Sequence, residues 1–137
     1  PLYYWKEMDQ YKVATTTNPC STMHRITAKP FVIDDFSHEH LDDFSIDRLN
    51  NTIEYSNSMR EMFLLDKNKH FWWQIIQLLP SSYYQLRTWD GSMQTILSIL
   101  KQRKGHKLDE WEQFRQACFE NIPYCKEFYE AYTGKDE

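Results

Sequence analysis

Four groups of residues in this chain carry side chains capable of chemistry. The densest lies within residues 31–44, where Asp34, Asp35, His38, Glu39, His40, Asp42 and Asp43 set imidazoles among carboxylates. Those are ligand types that hold divalent metals. His38 and His40 are two residues apart, which fits one face of a strand and not of a helix. In a segment that reads as loop, the spacing favours a solvated acidic loop over a metal site. Cys20, Cys118 and Cys125 are odd in number and lack Cys-x-x-Cys spacing, so they read as reduced thiols of an intracellular protein. A nucleophilic pair would need Cys20 or Cys118 beside one of the five histidines, and no spacing directs that. Trp72-Trp73 has the form of a base-stacking platform, but with Ile75, Ile76 and Leu79 at helical spacing it reads as packing. The last group is the basic turn of Lys101, Arg103 and Lys104, closed by Gly105. The sequence holds no G-x-G-x-x-G, P-loop or G-x-S-x-G motif.

The elements that must position Arg103 lie in residues 78–119. Pro80 stops one helix, and Tyr83 to Trp89 reads as extended. Asp90 is placed to cap a helix whose Met93, Ile96, Leu97 and Leu100 follow the spacing of one buried face. Its basic last turn complements the helix dipole, and Gly105 suits a left-handed stop. A second helix starts at Asp109, where Asp109-x-x-Glu112 resembles a capping box and Trp111, Phe114 and Cys118 face inward. The order is strand, helix, tight basic turn, helix.

Before this stretch, residues 2–13 read as an amphipathic helix that breaks at Ala14-Thr15-Thr16-Thr17-Asn18-Pro19. Residues 20–26 suit either a short helix or a strand. Ser45 is placed to cap a long helix reaching about Leu65, with Ile46, Leu49, Ile53, Met59 and Phe63 inward. A helix carrying Phe71, Trp72, Ile75, Ile76 and Leu79 follows, and residues 124–132 form a short terminal helix after Pro123.

At 137 residues the chain has the length of a single domain, residues 1–137, with enough material for a real core. Its 41% hydrophobic and 26% charged content is ordinary for a globular protein. A net charge of -4 argues against a general nucleic-acid binder, since phosphate-backbone affinity rests on excess Lys and Arg. One nucleotide in a local basic pocket stays compatible with it. No run approaches ~20 apolar residues, so the reading expects no membrane span and a cytoplasmic protein. Because Pro1-Leu2-Tyr3-Tyr4-Trp5 opens inside an element, residues upstream of Pro1 are also expected.

Two stretches resemble the flavin-dependent thymidylate synthase family. From Pro80 to Arg103 the chain aligns with that family's Leu-Pro, extended segment, Asn-x-Arg and helix ending in Leu-Arg, and Glu110-Trp111-Glu112 follows as its Gln-Trp-Glu helix. Gln10-Tyr11-Lys12, then Thr15, Asn18, Ser21, Met23 and His24, follow the order of the signature R-H-R-x-x-S-x-N-E-x-S-x-R-Y. The chain is also similar to uncharacterised proteins of phages and prophages of Gram-positive bacteria, through Cys20-Ser21-Thr22-Met23-His24 and Leu78-Leu79-Pro80-Ser81-Ser82.

The resemblance implies an α+β fold, helix-rich, with a small antiparallel sheet packed by helices, and assembly as a homo-oligomer. It places Arg103 and Ser21 at the uracil nucleotide, and Lys12, Gln10, His24 and Gln94 at the remaining ligand contacts. In the family, FAD and nucleotide are held by cationic groups; here Gln10, Tyr11 and Met23 are neutral, Pro19 replaces a Glu, and Ser92-Met93-Gln94 replaces Asn-x-Arg. Guanidinium forks suit phosphate because they donate in charged pairs. The expectation is a relative with an eroded flavin site that binds a pyrimidine nucleotide or similar ligand without catalysis and keeps no flavin. The alternatives are an active flavin-dependent pyrimidine-nucleotide methyltransferase and a phage-encoded interaction or nucleotide-sequestering protein.

Overall fold

Apolar residues recur at helical intervals along most of the chain, and helices dominate the result. The computed structural model describes residues 1–21 and 25–134. Among them are six helices: α1 (Leu2–Met8), α2 (Asp43–Asp66), α3 (Lys69–Leu78), α4 (Met93–Gln102), α5 (Asp109–Asn121) and α6 (Cys125–Thr133). Strands β1 (Thr15–Pro19) and β2 (Arg87–Gly91) form a two-stranded antiparallel sheet, so the architecture is helix-rich α+β. Residue contacts group the chain into two compact units. One joins Pro1–Tyr3 to Pro19–Arg87, and the other joins Tyr4–Asn18 to the chain from Thr88 onward.

In the first unit, Ile26, Phe31, Phe36, Leu49, Ile53 and Ile75 form the core, with Trp72 and Tyr83 packed against it. The cap of α2 is Asp42, not the expected Ser45. Ser45 is already helical and donates its backbone N–H to the Asp42 carboxylate at 2.8 Å. That bond holds the Asp42 carboxyl below the usual carboxylate range. Asn57 on α2 fixes the preceding loop by accepting the Phe31 N–H at 2.7 Å and donating to its carbonyl at 2.9 Å. Within the acidic segment, Nδ1 of His38 lies 2.8 Å from the Phe36 carbonyl, and Phe36 bridges to Tyr83. Trp72 serves the core as expected, whereas Trp73 is 48% exposed.

The second unit packs Ile96, Leu97, Leu100, Cys118, Cys125 and Tyr129 together. Ser92 caps α4, accepting the Thr95 N–H at 3.1 Å, in place of the expected Asp90. Asp90 stays in β2 because the strand runs on through Gly91, over which the Trp89 ring folds; a Cβ there would collide with that ring. The expected capping box at Asp109 is also absent: Leu108 is the cap position and makes no side-chain cap bond. Asp109, Glu110 and Glu112 instead place carboxylates in the first turn of α5, at the positive end of its dipole. Gly105 takes the left-handed conformation foreseen for it, with φ 68.

Helix α1 stops at Met8, five residues short of the expected end. Tight turns take over: Gln10 N–H donates to the Glu7 carbonyl and Tyr11 N–H to that of Met8, at 3.2 and 3.1 Å. This early stop leaves Gln10 and Tyr11 in turns outside the helix.

Cys118 and Cys125 are buried and Cys20 is exposed. Burial pushes the Cys118 thiol up to about 11 and raises that of Cys125 as well. We expect iodoacetamide to modify Cys20 alone in the native protein, with the other two reacting only in denaturant, read by mass spectrometry. The raised Cys118 value favours the folded state fully below the thiol's ordinary 9.0 and loses that contribution as pH climbs through about 11. Urea titrations across that window should therefore show a shallower alkaline loss of stability in Cys118→Ala than in the parent.

Candidate functional site

Arg103 follows α4 as its C-cap residue, its backbone N–H bonded to the Ile99 carbonyl at 2.9 Å. The helix end fixes the backbone, and the rest of the second unit claims the side chain. Nε donates to the Tyr11 hydroxyl at 2.7 Å, Nη1 to Glu7 Oε2 at 3.0 Å and Nη2 to Gln10 Oε1 at 3.3 Å. The guanidinium carbon lies 4.7 Å from the centre of a Trp111 ring, within cation–π range. Only 16% of the side chain is exposed.

Glu7 Oε2 also accepts the Trp111 indole N–H at 2.8 Å. His106 completes the cluster. Its Nδ1 accepts the Leu108 N–H at 3.2 Å, and its Nε2 lies 3.1 Å from Arg103 Nη1 and 3.4 Å from Glu7 Oε2. This arrangement can hold a guanidinium rigidly and present the Gln10 and Tyr11 side chains at a fixed angle.

Beside the cluster is an open hollow of about 360 Å³, lined by Gln10, Tyr11, Lys12, Val13 and Ala14 and, on the α4 side, by Ser92, Gln94, Thr95 and Ser98. Among the described residues its lining has one cation, Lys12, and no carboxylate, although the chain as a whole is acidic. Neutral amide and hydroxyl groups supply the remaining polarity. The first turn of α4 adds backbone N–H groups and the positive end of a helix dipole. Its size is at the small end of small-molecule sites.

Of the residues singled out from sequence, Gln10, Lys12 and Gln94 line this hollow, and Arg103 lies in a neighbouring one with Gln10, Tyr11 and Gln102. Ser21 lines a different hollow of about 350 Å³ in the first unit, with Arg25, Lys29 and Tyr83 among its walls. His24 lies outside the described residues. Sequence reasoning missed Glu7, because a carboxylate 96 residues from its arginine leaves no local signal, and it missed His106 although that residue stands three places after Arg103 in the same turn. Ser92 and Thr95 were findable: a Ser three residues before a Thr at a helix start is a capping pattern.

A lysine cannot serve four partners at once, so Arg103→Lys should lower the unfolding free energy by about 1–3 kcal/mol, measured in urea. Glu7→Gln should cost a similar amount. In a double-mutant cycle the two changes should be non-additive by at least ~0.5 kcal/mol, since they remove one shared contact. Compared with family models, with curated proteins and with solved structures, the chain has no match, and the site stands on its geometry.

Proposed function

We propose that this chain is a non-catalytic binding protein on a diverged flavin-dependent thymidylate synthase-like scaffold. Its ligand is a pyrimidine mononucleotide or a molecule of the same chemistry, held in the hollow between residues 10–14 and the first turn of α4. The observation that carries this reading is the composition of the hollow: among the described residues that line it, Lys12 is the one cation beside amides and hydroxyls, with no carboxylate. A single lysine beside a helix N-terminus suits one phosphate group. Gln94 and Gln10 carry both donors and acceptors, which suits the edge of a pyrimidine ring.

The same composition weighs against the enzymatic alternative. A flavin dinucleotide brings a pyrophosphate and depends on the protein to hold and orient it. Several charge-assisted donors serve that purpose, and here the nearby guanidinium of Arg103 is occupied by Glu7, Tyr11 and Gln10. In this reading Arg103 positions Gln10 and does not grip phosphate itself. Homo-oligomeric assembly and a cytoplasmic setting belong to the same proposal.

A ligand that binds only the folded state raises the melting temperature. Deoxyuridine monophosphate should raise it, deoxyuridine should do so less, and FAD should not. Lys12→Ala should weaken binding of the monophosphate by roughly tenfold or more, about one charge-assisted bond's worth. Purified protein that is yellow with bound flavin would favour the enzymatic alternative instead.

A further inference from the structure

Helix α2 spans 24 residues, and one face is fully committed within the first unit. Leu49, Ile53 and Ser56 are buried there, and Arg60 on that side donates to the Thr27 carbonyl at 2.9 Å. The helix also carries four apolar side chains on a second, exposed line that polar residues interrupt. Phe44, Tyr55, Met62 and Leu65 are 67%, 42%, 42% and 81% exposed. They fall on one line of alternating four- and three-residue steps, the spacing of a coiled-coil seam. The intervening positions of that line, Arg48, Asn51 and Ser58, are exposed too.

A helix with one apolar stripe in a core has no folding reason to carry another facing water. Along one flank of the seam, at the residue before each of Arg48, Tyr55 and Met62, stand Asp47, Glu54 and Glu61, all exposed. No ion pair involving these three is found among the described residues. In a coiled coil these flanking positions set partner choice by charge.

We propose that this face of α2 docks a basic amphipathic helix of another protein. The acidic row selects the occupant. A second copy pairing antiparallel would set Asp47, Glu54 and Glu61 against their own counterparts, and an anionic lipid surface would repel the same row. A partner with an apolar seam flanked by Lys or Arg satisfies both the stripe and the charge. The lone Arg48 in the seam lies 5.0 Å from the centre of the Phe44 ring and is held over it.

The test uses fluorescence anisotropy with two labelled synthetic four-heptad peptides, Leu at the seam positions and either Lys or Glu on both flanks. The Lys-flanked peptide should bind at least roughly tenfold tighter than the Glu-flanked one, and the difference should shrink towards 0.5 M salt. Tyr55→Ser with Met62→Ser should remove binding, and Glu54→Lys with Glu61→Lys should reverse the preference. Circular dichroism melts of these variants should match the parent, because the altered side chains are exposed. Equal binding of both peptides, no binding of either, or binding kept by the serine variant overturns the proposal. So does a dimer by sedimentation that the serine variant dissolves, or preferential binding to vesicles of phosphatidylserine and phosphatidylcholine.

Discussion

One carboxylate oxygen organises the second unit. Glu7 Oε2 accepts from the Arg103 guanidinium at 3.0 Å and the Trp111 indole at 2.8 Å, with His106 Nε2 at 3.4 Å. Those groups come from the end of α4, from α5 and from the turn between them, while the carboxylate sits on α1. Partial burial strengthens each bond relative to water and makes an unpaired member costly. The stacked Trp111 ring is 2% exposed, so the charge rests on an aromatic surface with little water around it. An arginine so held is a structural part first. Whatever Gln10 and Tyr11 do at the neighbouring hollow, they do from positions that Arg103 fixes.

Local chemistry was legible in the sequence where one element decided it. The long helix of α2, the packed role of Trp72, the left-handed Gly105 and the inward face of α4 all follow from periodicity or from one residue's backbone freedom. The caps of α2 and α4 were misplaced by three and two residues, because several adjacent side chains had the right chemistry, and that of α5 by one. Trp89 folding over Gly91 kept Asp90 in a strand, and only then did Ser92 become the cap. The overlong α1 was the same kind of miss. Nothing local in residues 9–13 forbids a helix, but the chain turns there instead, and Gln10 and Tyr11 bond to Arg103, more than ninety residues away.

Charge is unevenly spread in ways that total composition conceals. Among the described residues, a chain with net charge -4 carries a hollow lined by no carboxylate in one unit and a row of three acids without an ion pair along α2 in the other. A bulk value therefore argues against a polyanion ligand spread over the surface and says little about a single phosphate in one place. The two surfaces suit different kinds of ligand, one small and anionic, the other long and cationic.

The second unit is assembled from two separate pieces of chain, with residues 19–87 running between them. Its central carboxylate–guanidinium pair thus spans 96 residues of sequence, a large entropic loop for an unfolded chain to close. The first unit shortens that search. Cys20 and Leu86, near the ends of the intervening stretch, are joined by a backbone bond of 3.0 Å once that stretch has folded. During synthesis the intervening part leaves the ribosome complete while the last three helices are still to come. The order of translation then lets the inserted part condense first and deliver the two outer pieces to each other as near neighbours.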